Sequence, residues 1–179
     1  MNSSHFRFAI AVVGLALIGT ACRVPRSVPD DADTRRMIAL LMPKRVEIVE
    51  PFTRVQNADG GAKPTRIELL IQAVNTLGNP GLMITGGIRV ELYEYVAASG
   101  DAKGRRLEFW DIDLDTEQQQ NDHWNAMTQM YEFHLGIVAS QIPVADRYVL
   151  SITYNSPMNE RLTDECLLRY VSGIARKGG

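Results

Sequence analysis

From Lys44 onward the chain alternates apolar and polar residues with a period of two. Ile67, Leu69, Ile71 and Ala73 alternate with Arg66, Glu68, Leu70 and Gln72, and Ile88, Val90 and Leu92 alternate with Arg89, Glu91 and Tyr93. The period returns at Tyr131, Phe133, Leu135 and Ile137, and again at Tyr148, Leu150, Ile152 and Tyr154. Successive side chains of a strand point to opposite faces, so this pattern sets one face on a core and the other in water. Val46 and Ile48 open the series, and a last strand is expected within 161–171. Segment 105–114 changes phase: Leu107 and Phe109 share one face, Trp110, Ile112 and Leu114 the other. A bulge, or burial on both faces, accounts for such a break.

Gly, Asn, Asp and Pro punctuate the strands at 57–61, 78–81 and 99–101, where turns need unusual or fixed φ. Two stretches depart from the alternation. Residues 34–42 read as a short helix, with Asp33 or Thr34 as N-cap, an apolar face of Met37, Ile38, Leu40 and Leu41, and Pro43 as its stop. Thr116 with Gln119 makes a capping-box pattern for a second short helix in a loop. The expected fold is therefore mainly β: a two-sheet antiparallel sandwich of about seven strands with two short helices. It resembles immunoglobulin-like and transthyretin-like sandwiches, although the Cys-Trp-Cys spacing of true immunoglobulin domains is absent.

The first 22 residues follow another logic. Arg7 (with His5) precedes an apolar run from Phe8 to Ile18, then the small residues Gly19-Thr20-Ala21, then Cys22. Eleven apolar residues are too few to cross a bilayer as a stable helix, but they suit a cleaved signal. Ile18-Gly19-Thr20-Ala21-Cys22 resembles the lipobox of bacterial lipoproteins, with Gly19 where that family prefers Leu. The resemblance implies that residues 1–21 are removed and that Cys22 becomes the lipid-bearing first residue. Arg23 stands where an Asp would be the family's inner-membrane retention signal, so the outer membrane is the expected address. Residues 23–33, with two prolines and three aspartates, read as a solvated spacer. The expected organisation is a signal over 1–21, an anchor, spacer and helix over 22–43, and a sandwich over 44–179.

The whole chain carries a formal charge of −2. Losing Arg7 with the signal makes it one unit more negative, with no Lys/Arg cluster, which is a poor match for nucleic acid.

Three sets of residues offer chemistry. Asp111, Asp113 and Asp115, followed by Glu117 and Asp122, place oxygen ligands at alternate positions as calcium loops do. Thr116 stands where a tight ion loop needs Gly, and Ile112 and Leu114 look like core residues. A solvated strand edge entering a polar loop is the preferred reading, and no metal or cofactor is expected. His123 and His134 lack the short spacing to a second ligand that zinc sites show. Cys166, without a disulfide partner once Cys22 is lipidated, reads as a small buried apolar residue. No nucleophile elbow, phosphate loop or zincin helix is present.

The function expected is a lipid-anchored cell-envelope protein whose sandwich is a non-catalytic binding or structural module. Its partners would be the membrane, through the N-terminal lipid, and an envelope protein. The rival is an ion-dependent ligand-binding protein or enzyme with a loop-built site around 111–122. Sandwiches host both classes, so the site must decide.

Overall fold

The computed structural model describes residues 31–57, 63–97, 100–138, 142–158 and 160–170. Cys22, the signal and most of the spacer lie outside these residues. Two antiparallel sheets face each other. The first contains β1 (Pro43–Ile48), β2 (Arg54–Gln56), β3 (Arg66–Asn75), β6 (Trp124–Asn125) and β7 (Met130–Gly136). Its order is β1-β3-β7-β6, with β2 paired to β3 beyond the end of β1. The second contains β4 (Gly87–Tyr95), β5 (Lys103–Asp113), β8 (Arg147–Asn155) and β9 (Arg161–Arg169), in the order β5-β4-β8-β9.

Seven of these strands are the seven that alternation predicts. The other two, β2 and β6, have three and two residues, too few to show a period. β1 and β2 are in effect one strand interrupted at 49–53. The interruption is bridged by Thr53, whose hydroxyl accepts from Leu70 N–H at 3.1 Å and lies 3.3 Å from Leu70 O as a donor.

The phase break in β5 is a bulge. Leu92 faces Glu108 and Tyr93 faces Arg106, which leaves Leu107 as an extra residue. Leu107 and Trp110 consequently both turn to the core, and Phe109 is left outside between Arg89 and Arg106.

The facing sides of the sheets supply the core: Ile67, Leu69, Ile71, Tyr131 and Phe133 from one, Ile88, Val90, Leu92, Leu150 and Ile152 from the other, all at most 1% exposed. Burial on this scale is the main stabilising term. One alternation expectation needs correcting. Val149, Ser151 and Thr153, expected on a wet face, are buried too, so β8 is covered on both sides. Long side chains of neighbouring strands lie flat over it: Lys103 Nζ sits 3.4 Å from Ser151 Oγ and pairs with Glu165.

Each flank of the sandwich carries a polar bond between the sheets. Trp110 Nε1–H donates to Gly136 O at 3.1 Å on the β5–β7 side. On the β1–β9 side Ile48 N–H donates to the Asp164 carboxylate at 2.7 Å.

Helix α1 spans Ala32–Leu41 and starts two or three residues earlier than the sequence suggested. Asp31 is the N-cap, accepting from Thr34 N–H at 3.0 Å and Thr34 Oγ1–H at 2.8 Å. Met42, which precedes a proline, is extended, and Pro43, expected as the stop of the helix, also opens β1. Helix α2, Glu117–His123, carries the predicted capping box between Thr116 and Gln119. Among the described residues, no helix is long and apolar enough to cross a membrane.

Candidate functional site

Strand β5 lies at the edge of its sheet, and from there it projects the acidic stretch. The structure separates these acids instead of converging them. Asp111 is engaged by Arg89 through two bonds of 2.7 and 2.9 Å, and the guanidinium holds its carboxyl below the usual range. Asp113 is exposed, and Asp115 accepts from Thr85 Oγ1–H at 3.2 Å. Glu117 lies in the first turn of α2, where a negative charge complements the helix dipole. Asp122 accepts from Gln118 one turn earlier at 2.7 Å. Leu114, between Asp113 and Asp115, is fully buried, which turns its acidic neighbours outward. Among the described residues, no three His, Cys, Asp or Glu side chains are arranged to hold a metal ion.

The two histidines border one shallow groove at the β6–β7 edge, with Glu132 between them. His123 packs its ring 4.8 Å from that of Phe133, while His134 is exposed on the outer face of β7. Cys166 is on β9, at the opposite flank of the sandwich, so the topology supplies it with no histidine base. The thiol is 6% exposed, and burial pushes its pKa up to about 12. A thiol so held is a poor nucleophile near neutral pH.

Helix α2 is tied to the body by a residue that the sequence did not single out. Gln120 Nε2 donates to Ile84 O at 2.7 Å and to Leu114 O at 2.6 Å, and its Oε1 accepts from Tyr131 O–H at 2.6 Å. These bonds satisfy backbone carbonyls where two loops meet, and a glutamine in a polar run carries no mark of that duty.

Helix α1 is the other unexpected feature. None of its residues is buried: Met37, Leu40 and Leu41 are 64%, 46% and 73% exposed. Its apolar residues do not join the core as a helix of this pattern ordinarily would. Between α1 and the sandwich runs an open cleft of about 470 Å³ lined by Ile38, Ala39, Met42, Pro43, Thr76 and Met158. Thr76 Oγ1–H donates to Ala39 O at 3.4 Å across it.

The register puts the loop after β3, the β6–β7 turn and the β8–β9 turn at this same end. Those turns expose Leu77, Met83, Met127 and Met158. Among the described residues, with Met37, Leu40 and Leu41 they make seven exposed large apolar residues at one end, against Val96, Val138 and Val144 at the other. A signal was available in the sequence, because leucine and methionine are unusual in turns otherwise built from Gly, Asn and Pro. Comparison with family models, with curated proteins and with solved structures found no match.

Proposed function

We propose that this chain is a bacterial lipoprotein of the cell envelope, anchored through Cys22, whose sandwich is a non-catalytic binding or structural module. The observation that carries the reading is the order of residues before the spacer: an apolar run, Gly19-Thr20-Ala21, then Cys22. Several acyl chains on one residue anchor a protein durably, whereas one chain does so only marginally.

The separation of the groups that offered chemistry supports the non-catalytic half. The acids of 111–122 have individual partners or face solvent, and Cys166 and the histidines lie on opposite flanks. A nucleophile and its base must lie within hydrogen-bond reach. The outer membrane remains the preferred address because Arg23 follows Cys22.

The test is metabolic labelling with a radioactive fatty acid. The unmutated protein is expected to incorporate the label and Cys22→Ala to lose it. An unmutated protein that incorporates none overturns the reading.

A further inference from the structure

The apolar end described above is not uniform in charge. On the α1 flank, beside β1 and the β8–β9 turn, stand Arg35, Arg36 and Lys44 together with Asp31 and Asp33, all exposed, and Arg36 lies 4.0 Å from Asp33. On the α2 flank stand Asp113, Asp115, Glu117 and Asp122, also exposed. The sequence shows the same polarity at larger scale. Residues 22–45 hold six Lys or Arg against three Asp, whereas residues 46–179 hold twelve Lys or Arg against eighteen Asp or Glu. Exposed Met37, Leu40 and Leu41 thus sit on a basic portion of an acidic protein.

Chain length then decides what that portion meets. Nine peptide steps separate Cys22 from Asp31, and nine steps span at most about 30 Å when fully extended. A nine-residue strand such as β4 is itself about 30 Å long, which sets the opposite end of the sandwich well beyond α1.

We infer that the α1 flank, with Met37, Leu40 and Leu41 at its centre and Arg36 beside them, rests in the headgroup layer of an anionic bilayer. The inference rests on the anchoring proposed above. It goes further in giving the sandwich a fixed attitude on the membrane. An amphipathic helix of this kind lies in the interface plane, its apolar face below the headgroups and its cations among the phosphates. Basic residues close to an anionic leaflet add to the attraction. The acidic α2 flank is repelled, so the domain tilts onto α1 and leaves α2 in water.

The test uses the full, lipid-bearing chain in vesicles of phosphatidylethanolamine and phosphatidylglycerol, its N-terminal lipid verified by mass. A nitroxide is placed at Leu41→Cys, Met37→Cys or, as the reference, Glu117→Cys. All three positions are exposed, and Cys166 is buried away from the reagent. At Leu41 and Met37 lipid-soluble oxygen is expected to relax the label more than a water-soluble nickel chelate does. At Glu117 the order is expected to reverse. A lipid-bearing chain whose Leu41 label is as open to nickel as the Glu117 label overturns this inference and leaves the anchoring intact. Dipolar broadening at Leu41, with neither reagent reaching it, would assign the face to a second copy and also overturn it. A chain that carries no lipid overturns the anchoring and this inference with it.

Discussion

Helices α1 and α2 stand at the same end of one sandwich, and each is capped by a side-chain oxygen. α2 is the shorter and the more polar, yet it is the one the fold holds, through Gln120 and the Tyr131 hydroxyl. α1 is longer and has an apolar face, yet it buries no more than α2 does: no residue of either helix is buried. Amphipathic spacing therefore says that a helix has a face to cover, not that its own domain covers it. A few well-placed bonds to buried carbonyls tie α2 down, because leaving such groups unpaired costs about 1–3 kcal/mol each.

The difference predicts a graded set of outcomes. Gln120→Ala strands Leu114 O, leaves Ile84 O with the Tyr131 hydroxyl alone at 3.2 Å, and removes a partner of Tyr131. It is expected to cost about 2 kcal/mol and to lower the thermal midpoint by several degrees. A midpoint within a degree of the unmutated protein would mean that α2 is not held as described.

Thr116→Ala and Asp31→Ala remove the two N-caps. The first is expected to cost about 1 kcal/mol of global stability, because α2 unfolds with the body. The second is expected to leave the global midpoint unchanged and only to speed amide exchange of 33–36 in α1. Equal shifts in the midpoint would erase the distinction between the helices.

Alkaline pH offers a subtler test, directed at the body to which α2 is tied. Burial raises the Cys166 thiol to about 12 and also raises the phenols of Tyr131, Tyr148 and Tyr154. Each group is then protonated in the folded state over a range where the unfolded chain already loses the proton. The stabilisation is complete below about pH 8.5, the ordinary thiol value, and declines as pH rises towards 12. Chemical denaturation across that range should show the decline, and Cys166→Val should delay its onset. Native Cys166 should also react with a thiol reagent at pH 8 far more slowly than in the denatured chain. Equal rates would contradict its burial.

The smallest expected effect is that of calcium. With Asp111 committed to Arg89 and its neighbours dispersed, millimolar calcium should not move the thermal midpoint relative to chelator. A site saturated at 100 times its dissociation constant would add about 2.7 kcal/mol and could not be missed. Stabilisation that disappears in Asp113→Asn would favour the ion-dependent receptor.

What could be read in advance follows the same division. Ile67–Ala73 and Tyr131–Ile137 announced their strands because one face is buried and one is wet, and the break in phase over 105–114 was legible, but not its cause, a bulge at Leu107. Strand β2 depends on Thr53 bridging to Leu70, a contact seventeen residues away that no local pattern encodes. The α1 cap was misplaced because Asp31, Asp33 and Thr34 are all competent caps within four positions, and the choice rests on Asp31 meeting Thr34 N–H. The roof over β8 escaped notice because Lys103 and Glu165 reach it from other strands. Among the site residues, the outward turn of the acids was legible from buried Leu114. The exposure of α1 was not, since periodicity identifies a face and is silent about its occupant.

The proposed anchoring ties the outward-facing α1 to a chain fixed to a membrane in front of it. The direct measurement is the mass of the N-terminal peptide of the protein isolated from cell membranes. It is predicted to begin at Cys22 and to carry the added mass of acyl chains. A peptide that begins at any other residue, or a Cys22 with an unmodified thiol, would contradict the account.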